Sequence, residues 1–182
     1  MSRIPLLSVE EAEKRAAEIG VPPNLARLNA FRALLHNSNA TGSIAKLLLT
    51  LLFQGSIDHR TRELVILRMG WRTKSEYEFC QHVVIARQTG MPEAEILGVR
   101  EPESYAGFSD VDRAVLALTD ELVEGTRVTD ETWAVLASAF EPGQLLELVF
   151  VAGNWRMFAG FLRSAQVPLD ADVPSWPDGR KP

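Results

Sequence analysis

Apolar residues recur along most of this sequence at spacings of three and four, which is the period of an amphipathic helix. The segment 43–53 is almost entirely apolar and predicts a buried helix. No run alternates apolar and polar residues between two turn signals, as a strand would. The pattern therefore predicts an all-α fold, a helical bundle.

Residues that cap helices divide this pattern into separate elements. Asn24 is predicted to cap a helix that continues to Leu35, and Pro142 to begin a last long helix that ends near Gln166. Serine, threonine and aspartate accept hydrogen bonds from free N–H groups at helix starts. Such caps are predicted at Ser8, Asp58, Ser75 and Thr129, and at either Ser109 or Asp110.

The length of 182 residues fits one domain with a sizeable core. We expect N-terminal helices over 1–40 that pack on a helical core over 41–166. The segment 167–182 contains four prolines, and we expect it to be an extended or disordered tail.

A weak internal repeat suggests that the bundle consists of two related halves. The tripeptide Glu-Leu-Val at 63–65 recurs at 147–149, and Trp71 matches Trp155 at the same offset. The repeat is interpreted as a duplicated helical unit, although Glu-Leu-Val is common enough in helices to recur by chance.

Composition and charge exclude several classes of function. The formal net charge of −5, without a basic cluster, argues against a nucleic-acid surface. We found no apolar run of the roughly 18 residues that span a bilayer, and no signal peptide. Three scattered histidines and a single cysteine predict no metal site, and no glycine-rich motif predicts a nucleotide. We therefore expect a soluble, cytoplasmic protein without a cofactor.

The stretch 75–82 holds the best candidates for chemistry. On a helix, Ser75, Glu78, His82 and Ile85 fall on one narrow stripe of a mostly apolar face, whereas Cys80 projects to nearly the opposite side. A carboxylate one turn from an imidazole favours its protonated form, and burial favours the neutral forms of both. Such a pair can exchange protons near neutral pH, although it can equally be an ordinary surface pair.

Two segments, 57–68 and 75–82, together with Trp71 between them, resemble the core of the carboxymuconolactone decarboxylase and alkylhydroperoxidase D-like superfamily. The peroxidase branch carries Glu, eleven residues, Cys, two residues, Cys, three residues and His. Here Glu63 and His82 keep their places, but Ser75 and Glu78 stand where the two cysteines would be. A disulfide-forming peroxidatic pair is therefore missing.

With Glu63 and His82 in place but no cysteine pair, the segment resembles the decarboxylase branch. This resemblance implies a cofactor-free lyase acting on a small carboxylated, lactone-type substrate. The resemblance implies that His82 is the general acid or base, Glu78 its partner or a second proton carrier, and Glu63 a hydrogen-bonding or relay group. Candidate substrate contacts are Ser75, Tyr77, Trp71 and Arg68. The resemblance also implies an alkylhydroperoxidase D-like bundle that assembles as a homo-oligomer, a trimer or a hexamer.

Two other functions stay open at this point. A shared superfamily domain would permit a peroxiredoxin-type peroxidase activity, which requires cysteine chemistry at Cys80. A non-catalytic helical protein that binds a ligand is the third interpretation, and in it Glu78 and His82 would serve packing alone.

Overall fold

The structure is a computed structural model that describes residues 2–182. Those residues form an all-α bundle without strands, as the sequence predicts. The helices are α1 Val9–Glu18, α2 Pro23–Ala26, α3 Asn29–Leu34, α4 Ser38–Phe53, α5 His59–Arg72, α6 Glu76–Gln88, α7 Glu93–Gly98, α8 Asp110–Glu124, α9 Asp130–Ala139 and α10 Pro142–Ala165. Short 3₁₀ turns occupy Leu35–Asn37, Pro102–Ser104 and Pro177–Gly179.

Helix α5 lies at the centre of the bundle and packs against α6, α8 and α10. Every residue from Thr61 to Trp71 is buried, and these include the charged side chains Arg62, Glu63 and Arg68. A helix that is buried all round must satisfy its charges with partners from neighbouring helices. The polar residues of α5 therefore mark the places where the bundle makes specific internal contacts.

The close approach of α5 to α6 depends on Gly70. A Cβ atom at this position would lie 2.8 Å from the backbone nitrogen of Phe79 and 3.0 Å from its Cα. Because backbone atoms cannot move aside as a side-chain tip can, no larger residue fits. Glycine thus sets the distance between the helix that carries Glu63 and the helix that carries Glu78 and His82.

Of the six predicted helix caps, four hold, and Asn24 fails because it lies inside α2, whose cap position is Pro22. The side chains of Ser8, Asp58, Ser109 and Thr129 each accept a hydrogen bond from the backbone N–H three residues on. Ser75 occupies the cap position of α6, but its side chain makes no capping hydrogen bond. Its hydroxyl is fully buried and has no hydrogen-bond partner in the part of the chain that the structure describes.

The predicted helix from Asn24 to Leu35 is wrong, because it is broken into α2 and α3. Leu28 between them has the extended backbone angles φ −66° and ψ 138°. The break has a tertiary cause, since the backbone N–H of Asn29 donates to the Asp170 carboxylate at 2.7 Å. The Asn29 carboxamide also donates to two carbonyls of the segment 168–169.

The prediction of a buried helix at 43–53 also fails. Helix α4 starts five residues earlier, where Asn37 caps it, and only one of its faces is buried. Phe53 is 76% exposed and Leu47 is 44% exposed. The exposed apolar residues of α4 therefore belong to the surface and not to the core.

Helix α10 is long and apolar enough, by length and composition alone, to cross a membrane, although polar residues interrupt its apolar run. In the fold, 56% of its most apolar window is buried against other helices, as is common for the core helix of a soluble protein. Its outer side presents Leu146, Phe150 and Met157, each about half exposed. This row is called the α10 stripe below.

The segment 167–182 has little regular secondary structure and lies against the bundle. Trp176 is buried between the rings of Trp71 and Phe79, at centroid distances of 5.9 and 5.4 Å. Asp178 pairs with the buried Arg100, whose guanidinium lies 4.9 Å from the centre of the Trp71 ring. The tail therefore covers the side of α5 and α6 that faces away from His82.

Candidate functional site

A cavity of about 110 Å³ lies where α2, α3, α4, α6 and α10 meet. This volume has room for a small organic molecule or several waters. Most of its wall is apolar, and no described residue that lines it is Arg or Lys. The lining residues are Leu25, Leu28, Ala30, Phe31, Leu48, Leu52, Tyr77, Glu78, Gln81, His82, Ile85, Trp155 and Phe158.

Helix α6 supplies the polar groups of this cavity. Glu78, His82 and Ile85 line it together, as their shared stripe predicts, and Gln81 lies beside them. Because residues three and four apart share a helix face, one turn of α6 places a carboxyl, an amide and an imidazole side by side. Ser75, one turn earlier on the same stripe, lies outside the lining residues.

The hydrogen-bonding partner of His82 is Glu63, from the neighbouring helix α5. Nδ1 of His82 donates to Oε2 of Glu63 at 2.8 Å, and Glu63 is completely buried. Glu78 is more distant, with 3.9 Å between its Oε2 and Nε2 of His82. The two places kept from the superfamily motif are therefore in direct contact, and Glu78 stands beside that pair.

Nε2 of His82 has a partner that the sequence did not point to. The indole N–H of Trp155, on α10, donates to it at 3.0 Å, and the two rings meet edge to face. Trp155 is 73 positions away in sequence. Only the repeat that matches it with Trp71 drew attention to it, and that repeat carried no indication of a contact with His82.

Burial acts differently on the two titratable groups of α6. Burial raises the pKa of Glu78 most, His82 lowers it and the Glu63 carboxylate raises it, and together they bring it to about 7. Burial alone would lower the pKa of His82, but the Glu63 and Glu78 carboxylates outweigh it and raise that pKa above its usual value. Glu78 can therefore gain and lose a proton near neutral pH.

Glu78 and Gln81 are the polar groups of the cavity that remain available to a ligand. Neither carboxyl oxygen of Glu78 makes a hydrogen bond within the described structure, although the residue is only 5% exposed. The amide oxygen of Gln81 is buried and has no hydrogen-bond partner among residues 2–182. Gln81 was missed by the sequence analysis, although its position three residues after Glu78 placed it close to the same face.

The other candidate substrate contacts lie in different places. The ring of Tyr77 lines the cavity, while its hydroxyl donates to Asp170 and accepts from the backbone N–H of Ala30. Trp71 packs on the opposite side of α6, under Trp176. Arg68 points toward α8, where it binds the Asp120 carboxylate. Of the four, only Tyr77 lines the cavity.

Cys80 lies outside the cavity lining and is 1% exposed. Burial raises the pKa of its thiol to about 12, an effect that Glu76 adds to and Arg100 opposes. A thiol must lose its proton to attack a peroxide, so this environment suppresses the reactive form. No group of three or more His, Cys, Asp or Glu side chains within residues 2–182 is arranged to hold a metal ion.

Residues 40–121 match the model of the carboxymuconolactone decarboxylase family, and no curated protein matches the chain. Among solved structures, an alkylhydroperoxidase AhpD core protein from Ralstonia eutropha has a TM-score of 0.77 at 14% identity, over 94% of this chain and 93% of that one. A peroxidase-related protein from Silicibacter has a TM-score of 0.74 at 15% identity, over 90% and 85%.

The debrominase Bmp8 is also similar in fold, with a TM-score of 0.72 at 12% identity over 90% of this chain and 86% of that one. A variant of Bmp8 has been solved with 2,3,4-tribromopyrrole. At such low sequence identities, these structural similarities show only that the fold is shared. Together with the family model that matches residues 40–121, the segment that holds Glu63 and His82, they support assigning this segment to the carboxymuconolactone decarboxylase and alkylhydroperoxidase D-like superfamily.

Proposed function

We propose that this protein is a cofactor-free lyase that removes carbon dioxide from a small carboxylated, lactone-type substrate. The observation that carries the proposal is the Glu78 carboxyl, which is buried at an apolar cavity, makes no hydrogen bond and has its pKa raised to about 7. A general acid works best when its pKa lies near the working pH. Glu78 has that property.

The apolar wall of the cavity suits the loss of carbon dioxide. A substrate carboxylate enclosed there loses water and finds no Arg or Lys among the lining residues to stabilise it. As the carbon–carbon bond breaks, its electron pair moves into the conjugated lactone and the charge spreads over a larger group. An apolar surrounding disfavours the compact carboxylate more than this dispersed charge, so the barrier falls.

Three side chains then have distinct roles in this reaction. The amide of Gln81 donates a hydrogen bond to the lactone carbonyl oxygen, on which the electron pair accumulates. Protonated Glu78 delivers its proton to carbon, which forms the new C–H bond, and the Glu78 carboxylate takes up one proton from the bulk solvent after product release. His82 stands beside Glu78, held by Glu63. The proton donor in this scheme is Glu78, because both nitrogens of His82 are already engaged.

The test is a measurement of carbon dioxide release from a panel of carboxylated lactones and β-keto acids. The wild-type protein is expected to release it at a rate that falls as the pH rises through about 7, since the protonated form of Glu78 is the donor. Glu78→Gln should lower the rate by roughly 10²–10⁴-fold, as the loss of a general acid does. Gln81→Leu, which keeps the approximate size but removes the amide, should lower it by about 10²-fold.

Two controls separate this proposal from its alternatives. Cys80→Ser should leave carbon dioxide release unchanged, and neither protein should consume peroxide, because the Cys80 thiol is buried and protonated. Peroxide consumption that disappears in Cys80→Ser would favour the peroxidase. Release that is equally fast in Glu78→Gln would contradict the proposed acid, and binding of the panel without turnover would favour a ligand-binding protein.

The α10 stripe supports a homo-oligomer, which we propose as the working form of this protein in the cytoplasm. Leu146, Phe150 and Met157 follow each other at spacings of four and seven on the exposed side of a long helix, and such a row packs against a second helix. Size-exclusion chromatography with light scattering is expected to give a trimer or a hexamer. Phe150→Glu should shift the protein toward the monomer, and a wild-type monomer would contradict the proposal.

A further inference from the structure

His82 is held by a hydrogen bond at each of its two ring nitrogens. Nδ1 donates to Glu63 at 2.8 Å, and Nε2 lies 3.0 Å from the indole nitrogen of Trp155. An indole nitrogen can only donate a hydrogen bond, so Nε2 must be the acceptor and carries no proton. The geometry corresponds to a neutral imidazole whose single proton is on Nδ1.

The charges around His82 work against that neutral state. Glu63 from α5 and Glu78 from α6 both favour an imidazolium, whereas Arg62 from α5 opposes it. Helix α10 brings no charged group to the ring, only the indole of Trp155. If Nε2 gained a proton, it would lose the hydrogen bond from Trp155 and face that N–H with a second donor.

The protonation states of His82 and Glu78 depend on each other. Their nearest side-chain atoms, Nε2 and Oε2, are 3.9 Å apart, so an imidazolium would form an ion pair with the Glu78 carboxylate. An ion pair lowers the pKa of the acid. A smaller share of Glu78 would then carry a proton at neutral pH, and Glu78 would be a weaker source of it.

We propose that Trp155 is a positioning residue that keeps the exchangeable proton of the cavity on Glu78 rather than on His82. Its N–H stabilises the unprotonated Nε2, and the neutral imidazole in turn leaves Glu78 free to be an acid. The proposal rests on the proposed function for one step only, the delivery of the Glu78 proton to the substrate carbon. The protonation states themselves exist without a substrate and can be measured without one.

The wild-type protein provides the first test, by ¹⁵N and ¹³C NMR of labelled side chains. At pH 7.5 the two nitrogens of His82 are expected to show the neutral form with the proton on Nδ1. The Glu78 carboxyl carbon should titrate near pH 7. An imidazolium at pH 7.5, or a proton on Nε2 of the neutral ring, would overturn the proposal whether or not any variant folds.

Trp155→Phe provides the second test, since it keeps an aromatic ring and removes only the N–H donor and part of the volume. We expect the proton affinity of His82 to rise about tenfold and that of Glu78 to fall by a similar factor, because one hydrogen bond is worth about that much. A role in packing alone would not move the two pKa values in opposite directions.

Trp71→Phe is the matched control, because Trp71 is also buried but packs under Trp176 on the other side of α6. It should leave both pKa values unchanged. Unchanged values in a folded Trp155→Phe would overturn the role of Trp155. Absence of carbon dioxide release from every substrate would contradict the proposed function and leave the role of Trp155 intact, so the two failures are distinguishable.

Discussion

Replacing Glu78 by Gln is expected to stabilise the folded protein at pH 9 by about 3 kcal/mol and to leave its stability at pH 4 nearly unchanged. Burial raises the pKa of Glu78 from 4.5 to about 7, so the folded state binds this proton more tightly than the unfolded state does. Each pKa unit of such a difference corresponds to about 1.4 kcal/mol.

The sign of this effect follows from which state holds the proton. Below pH 4.5 both states are protonated, and Glu78 imposes no pH-dependent penalty. Between pH 4.5 and about 7 the unfolded state ionises first, and the wild-type protein progressively loses free energy of unfolding relative to the variant. Above pH 7 the difference is constant.

Urea unfolding of both proteins at pH 4, 6 and 9 measures this difference directly. Glu103→Gln is the control, because Glu103 is an exposed glutamate of the described structure. Its effect should be small at every pH. A stability difference for Glu78→Gln that does not grow between pH 4 and pH 9 would mean that the carboxyl is not held in its protonated form by burial.

Arg68→Met is expected to destabilise the protein by about 3 to 5 kcal/mol, as the removal of one partner from a buried ion pair does. The guanidinium of Arg68, which is 5% exposed, binds both carboxylate oxygens of Asp120 at 2.7 and 2.6 Å. It also donates to the carbonyls of Val99 and Arg100. Methionine fills much of the space but removes the donor to both carbonyls and leaves the Asp120 carboxylate with Arg72 alone.

Arg72→Met is the matched control for that change. Arg72 lies one turn along α5, also reaches Asp120, at 3.3 Å, and is 29% exposed, so its loss should cost less than about 1 kcal/mol. Thermal and urea unfolding compare the stability of the two variants. Adding Asp120→Leu to Arg68→Met should recover part of the lost free energy of unfolding. Similar small losses of stability for both variants would contradict the structural role of Arg68. Loss of ligand binding in an Arg68→Met protein that stays stable would show that Arg68 contacts the ligand.

The fold could be predicted from local signals because helix caps and periodicity are properties of neighbouring residues. Asp58, Ser109 and Thr129 mark helix starts that the structure has at the same positions. The break at Leu28 could not be predicted in this way. It depends on Asp170, which is distant in sequence and competes for the N–H of Asn29.

The candidate site could be predicted only along its own helix. Glu78 and His82 share a face of α6 because of their spacing, and that is visible in the sequence. Which carboxylate binds Nδ1 of His82 depends on how α5 packs against α6, and only the superfamily resemblance pointed to Glu63. Trp155 reaches Nε2 from α10, and no local pattern indicates that contact.

The position of Arg68 away from the site could have been predicted from its helical spacing. It follows Glu63 by five residues on α5, which is well off the stripe of positions three or four apart. A side chain at that angle faces a different neighbour, and in the structure it binds Asp120 on α8 while Glu63 binds His82 on α6. Helical geometry alone therefore separates these two buried charges.

The tight contact at Gly70 has a consequence for how chemistry at this site can change in evolution. The spacing of α5 and α6 is fixed by backbone atoms, so it does not depend on which side chains occupy positions 75 and 78. Those positions can be exchanged, between thiols and carboxyls for instance, while the pairing of Glu63 with His82 persists. A lineage that carries this scaffold can thus replace its reactive groups one at a time, and the glycine is the residue that it has to keep.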